Sequence, residues 1–140
     1  MKNATIDYIA QLFDCLGPTG GPVNDLPPYF SRLSFRCGCC CNSDTVVDAE
    51  LIRILGRIYE HFERDINIIS GFRCVDFDAF VNEKHGDYHT TGKAADFTAG
   101  VEPEEIAKFL DDTFYGKYGV GVYQNYLHLD VRPGFERWHV

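Results

Sequence analysis

The clearest periodic signal in the chain runs through Leu51, Ile54, Leu55, Ile58, Tyr59 and Phe62, apolar positions that recur 3, 4, 7, 8 and 11 residues after the first. That spacing sets them along one face of an α-helix, and Asp44 or Asp48 is available to cap its start. A shorter amphipathic helix is expected from about Thr5 to Cys15, where Ile6, Ile9, Leu12 and Phe13 share a face. Gly17-Pro18-Thr19-Gly20-Gly21-Pro22, followed by Pro27-Pro28, suits neither helix nor strand and predicts a loop or an extended wrapping segment. Beyond the long helix, Ile66 to Ser70 reads as an apolar strand that delivers Arg73 at its end. A short helix is expected around Asp76 to Lys84, with Phe77, Phe80 and Val81 turned inward. Lys93 to Thr98 predicts a strand carrying Asp96. Pro103 suits a first helical turn, with Ile106, Phe109 and Leu110 as the buried face behind it. Two strands close the chain, Gly119 to Tyr123 and Tyr126 to Arg132, joined as a hairpin through Gln124-Asn125.

These elements predict an α+β fold in which a small, mostly antiparallel sheet carries helices on one face. At 140 residues the chain can bury one core and is too short for two ordinary domains. The expected organisation is a single domain over 1–140, with 1–28 as an N-terminal helix and wrapping segment and 29–138 as the core. Hydrophobic residues at 45% and charged residues at 24% are globular values, which sets disorder aside. A net charge of −8 without a basic stripe argues against nucleic acid as a partner. No apolar stretch approaches the roughly 20 residues of a membrane span. Met1 to Asp7 lacks the apolar core of a signal peptide, so synthesis in the cytoplasm without a classical export route is expected.

The candidate chemistry lies in His89-Thr90-Thr91-Gly92-Lys93-Ala94-Ala95-Asp96 and in His128-Leu129-Asp130. Two imidazoles and a carboxylate, with a fourth position left to water, are the donor set of a catalytic zinc. Gly92, Ala94 and Ala95 are small enough for a tight turn and close packing behind such a site. Side chains alternate across a strand, so Tyr126, His128 and Asp130 share one face and Leu127, Leu129 and Val131 the other. The apolar set belongs in the core, and the polar set is expected to face a cleft.

HTTGKAAD followed by YLHLDVR resembles the signature of the M15 zinc peptidases, the D-alanyl-D-alanine carboxypeptidase group, which reads H-x-x-G-x-A-x-D and then a late strand histidine. Ser70-Gly71-Phe72-Arg73 is similar to the family's S-G-[YF]-R block, and Arg137-Trp138 to the aromatic ending of its compact, phage-like branch. The likeness spans roughly residues 29 to 138. It implies a hedgehog/DD-peptidase-like fold and one catalytic Zn2+ held by His89, Asp96 and His128. The implied activity is hydrolysis of peptide bonds in peptidoglycan stem peptides, as carboxypeptidase or endopeptidase. Arg73 would then supply a fixed cation for a substrate carboxylate or for the tetrahedral intermediate. Several relatives carry an acid three positions before the late histidine, where this chain has Asn125. Asp130 is the replacement candidate for the general base; it could instead be a ligand, with His128 as base, or a partner that only orients the His128 ring. Asp87 stands where the phage-like branch often has serine, as a second carboxylate near the metal or a loop charge.

Four of the six cysteines fall in Cys37-Gly38-Cys39-Cys40-Cys41, with Cys15 and Cys74 apart. Cytoplasmic synthesis argues against a stable disulfide framework. A structural zinc involving Cys74, disulfides formed after release from a cell, and plain thiols all remain open, since paired C-x-x-C spacing is lacking. Three function classes follow: a zinc peptidase of the cell wall, from a phage or prophage, with virion or lysis-cassette proteins as further partners; a non-catalytic metal-binding module for wall recognition or virion structure; and a thiol-based redox or metal-handling protein. The first would act at the wall after release or as part of a particle.

Overall fold

The computed structural model describes residues 26–39, 41, 44–81 and 88–140. The expected N-terminal helix, the Gly17–Pro22 loop, Cys15, Cys40, Asp87 and the far end of the Asp76–Lys84 helix lie outside the described residues. The elements are a 3-10 helix (Arg32–Phe35), α1 (Ala49–Phe62), β1 (Asn67–Ser70), α2 (Val75–Val81), a second 3-10 helix (Tyr88–Thr91), β2 (Ala94–Thr98), α3 (Pro103–Thr113), β3 (Tyr118–Val122), β4 (Leu127–Asp130) and β5 (Phe135–His139). No helix among the described residues is long and apolar enough to cross a membrane.

Helix α1 forms where the periodicity places it. Asp48 caps it, its carboxylate accepting from the Glu50 amide at 2.8 Å. The helix ends at Glu63, which turns left-handed at φ 54° and donates its N–H to the Tyr59 carbonyl. Leu51, Ile54, Leu55 and Ile58 of α1 pack with Ile106 and Leu110 of α3 against Ala95, Phe97, Val120, Val122, Leu127 and Leu129 of the sheet. This is the main apolar core.

The sheet runs β1-β2-β4-β3-β5. Its first three pairings are antiparallel, and β5 joins the edge of β3 in parallel. The α+β expectation with helices on one face holds. The hairpin through Gln124-Asn125 forms as well, with the Tyr123 amide bonded to the Tyr126 carbonyl. Two features differ from the sequence reading. Strand β5 is an addition to it, because Pro133-Gly134 and the mixed polarity of Phe135 to His139 hide an edge strand. In α2 the inward residue is Asp78, which is 1% exposed, whereas Phe80 and Val81 are 86% and 48% exposed. The physical reason is charge: Asp78 turns in to meet the Arg73 guanidinium at 3.2 Å.

Register places the chemistry. Asp96 of β2 pairs with His128 of β4, and Ala94 with Asp130, so all four side chains project from the face opposite the core. One polar link ties α1 to the sheet near its other end. The Tyr118 hydroxyl donates to Glu50, and Arg53 holds the other side of that carboxylate at 2.8 Å. Hydrogen bonds from Arg53 and Tyr118 hold the Glu50 carboxyl down, to about 2. Because the folded value lies below the unfolded one, this link stabilises the fold fully above about pH 4.5 and is lost as pH falls through about 2. Glu50→Gln is therefore expected to lower Tm at pH 7, with the gap to the wild type closing as the melts are taken from pH 5 toward pH 2. A gap independent of pH would show that the charge of Glu50 plays no part.

Candidate metal centre

His89 enters the site from the second 3-10 helix, which Gly92 terminates. Gly92 is left-handed at φ 74°, and a Cβ there would collide with the Val46 carbonyl. Its carbonyl accepts the Asp48 amide at 2.9 Å, so one glycine links the start of α1 to the metal-site turn. His89, Asp96 and His128 are all buried. One potential ligand atom from each lies within 4.8 Å of the other two.

The two imidazoles are anchored through opposite nitrogens. His89 donates from Nδ1 to the Gly71 carbonyl at 2.7 Å, which turns Nε2 toward Asp96 at 3.5 Å. His128 bonds through Nε2 to Asp130 at 2.8 Å, which leaves Nδ1 facing the same Asp96 oxygen at 2.8 Å. Donors arranged tetrahedrally around zinc at 2.0–2.2 Å stand about 3.4 Å apart. The His89 to Asp96 spacing matches that value, and the His128 contact is shorter, so the two groups separate slightly to admit an ion.

Electrostatics also fits a cation. Burial opposes a charged His128, yet the Asp130 and Asp96 carboxylates outweigh it and push the imidazole up to about 9. Burial would likewise raise Asp96, but His128 and His89 hold it well below the usual carboxylate range. The three carboxylates of Asp78, Asp96 and Asp130 face two guanidiniums, those of Arg73 and Arg132. A negative charge is left over. Without metal a proton on His128 answers it; a divalent ion between the three donors can take that place.

Arg73 lies beside the ligands but is heavily engaged. Its Nε donates to Ser70 Oγ at 3.0 Å, Nη1 to Asp78 at 3.2 Å and Nη2 to Asp96 Oδ2 at 3.3 Å. Asp130 does not face a cleft as the alternation suggested. It is 0% exposed, and Arg132 grips both of its oxygens at 2.7 Å. Burial would raise its pKa, but Arg132 and His128 hold it below the ordinary range. Asn125 is exposed in the β3–β4 turn.

Sequence reasoning missed the groups that build this layer. Arg132 is in phase with His128 and Asp130, and that alternation was the available signal. Gly119 and Gly121 also alternate, on the β3 positions paired with Asp130 and His128. A Cβ at Gly119 would stand 2.5 Å from both Asp130 oxygens, and one at Gly121 would strike the Trp138 indole. With the space left by Gly121, Trp138 reaches His128 at 5.2 Å between ring centroids. Arg132 stacks over Tyr88 and Trp138 at 4.9 and 5.6 Å. Cys37, Cys39, Cys41 and Cys74 come together as a separate cluster.

The buried His–Asp–His set, brought together by a 3-10 turn and two strands of a mostly antiparallel sheet, could hold a metal ion. The family model described as Peptidase M15 matches residues 28–130, and the chain belongs to that peptidase family. Its members depend on metal, and the match covers His89, Asp96, His128 and Asp130 but stops short of Arg132 and Trp138. A search of the curated proteins finds no match.

Two outcomes follow from this geometry. Asp130→Asn, which removes the charged partner of the His128 ring, is expected to weaken zinc affinity by about 10–100-fold in a competition titration. Affinity within twofold of the wild type would exclude an orienting role. Gly121→Ala should cost about 1–3 kcal/mol by overpacking and shift the emission of Trp138, the chain's sole tryptophan. Unchanged emission and stability would mean that the indole does not rest on Gly121.

Proposed function

We propose that this chain hydrolyses peptide bonds in peptidoglycan stem peptides, using one zinc ion held by His89 Nε2, the Asp96 carboxylate and His128 Nδ1. The observation that carries this reading is the complementary anchoring of the two rings, one by a carbonyl and one by a carboxylate, so that His89 Nε2 and His128 Nδ1 both turn to the same Asp96 oxygen. Zinc in that position would supply Lewis acidity toward a carbonyl and would lower the pKa of bound water toward neutrality. The protein's own groups set the stage for it. Gly71 and Asp130 hold the rings, and Arg73 holds Asp96 through Oδ2, so that Oδ1 turns to both imidazoles. We assign Arg73 to positioning Asp96, with its charge also favouring negative charge that develops on a substrate nearby. We assign Asp130 to positioning His128 rather than to proton abstraction, because both its oxygens are engaged and it has no exposed surface.

Membership of the peptidase family supports the substrate class, and the phage or prophage setting belongs to the same proposal, resting on the resemblance to the family's compact branch. Release of the product as free D-alanine would mark a carboxypeptidase, and a new amino terminus within a larger fragment an endopeptidase. A second reading is favoured by Asn125 and by the engaged Asp130: a metal-binding module of the same fold, without turnover, for wall recognition or virion structure.

Amine release from purified peptidoglycan decides between them. The peptidase reading expects release that stops on chelation and returns with zinc, and His89→Ala or His128→Ala should lose ion and activity together. Asn125→Asp, which restores an acid at the relatives' position, is expected to raise the rate. Full zinc occupancy with no release from wild-type protein would favour the non-catalytic module.

A further inference from the structure

The second cluster of metal-ligating side chains lies away from the His–Asp–His site and is built on different chemistry. We propose that Cys37, Cys39, Cys41 and Cys74 hold a structural zinc ion that fixes the cysteine loop to the turn between β1 and α2.

The sulfur spacing argues for an ion. Cys37 and Cys39 lie 3.4 Å apart, Cys37 and Cys74 3.6 Å, and Cys39 and Cys74 3.7 Å. All four sulfurs lie within 4.8 Å of one another. Four thiolates bound tetrahedrally at about 2.3 Å would stand about 3.8 Å apart. A disulfide needs about 2.05 Å and satisfies its sulfurs in pairs, whereas here Cys37, Cys39 and Cys74 each have two near sulfur neighbours. A closed shell of four thiolates, with no place for water, is the signature of a structural zinc.

Outer contacts aim backbone N–H groups at two of the sulfurs. The Cys74 amide points at Cys37 Sγ at 3.3 Å, and the Phe77 amide at Cys74 Sγ at 3.4 Å. Such N–H donors to sulfur orient metal-bound thiolates. Gly38 fits between two of the ligands because a Cβ there would press on the Phe77 ring at 3.1 Å. Sequence spacing left a structural zinc open beside disulfides and plain thiols, since Cys37, Cys39 and Cys41 are alternate residues and the fourth ligand comes from beyond β1.

The position gives the ion a consequence. The loop's approach is already set by the Phe72 amide, which bonds to the Phe35 carbonyl at 2.8 Å. The strip next to it contains Gly71, whose carbonyl holds His89, and Arg73, which holds Asp96. A tetrathiolate ion would cross-link this strip from its outer side, so that it buttresses two of the three ligands of the other site.

The test uses the full wild-type chain, purified reduced. Of the two candidate metal sites among the described residues, only this cluster offers sulfur, so cobalt(II) replacing zinc should give an intense near-ultraviolet thiolate-to-metal band, whatever happens at the His–Asp–His site. Elemental analysis should find zinc retained by His89→Ala/His128→Ala, and zinc should protect the cluster's thiols from alkylation until a chelator is added. Cys37→Ser/Cys74→Ser should lose the band; if that variant fails to fold, the wild-type spectrum and alkylation protection still decide. Reduced protein without the band or the protection, or an intact mass and peptide map showing the cluster's cysteines joined as disulfides, would overturn the proposal. Those results leave the His–Asp–His reading untouched, and loss of activity with the cobalt band intact leaves this one untouched.

Discussion

Burial of the Asp96 carboxylate between two imidazoles is the constraint on which the site depends. A desolvated carboxylate costs several kcal/mol unless its lone pairs are met, and here His128 and Arg73 meet them directly, with His89 close by. Each of these groups then needs a partner of its own. His128 takes Asp130, Asp130 takes Arg132, and Arg73 takes Asp78. The charged layer is therefore closed outward from one residue, and no buried side-chain polar atom among the described residues lacks a hydrogen bond. A divalent ion at the centre would take the place of the His128 proton between rings that Gly71 and Asp130 already anchor.

The same layer explains the glycines of β3. An antiparallel partner at Gly119 or Gly121 with any side chain would occupy the volume of the Asp130–Arg132 pair or of Trp138. Strand β3 thus gives up side chains on one face while Val120 and Val122 fill the core on the other. Its own strand propensity is low, and its neighbours on both sides supply the hold.

Much of this was legible in the sequence because it rests on local periodicity. Alternation in β4 and the three- and four-residue steps of α1 sort side chains into a core face and a polar face with no knowledge of the rest of the fold. Strand β5 was not legible: it is a short edge strand of mixed polarity whose existence depends on β3. Asp78 was not legible either, because its burial is decided by Arg73 across a turn and runs against the apolar residues around it. Asp130 was placed on the right face, but alternation says only which face a side chain takes. That the face is covered by Arg132 and Trp138 is a tertiary fact.

The strand order carries a dynamic consequence. β2 and β4, which supply Asp96 and His128, lie inside the sheet, and β1 and β5 form its edges. Opening of a sheet begins at its edges, where each strand is held on one side only. Loss of β5 would uncover His128 by removing Trp138, and loss of β1 would loosen the turn that carries Gly71 and Arg73, while the β2–β4 ladder stayed paired. Fraying at these margins would expose the site to solvent without separating two of the side chains that define it.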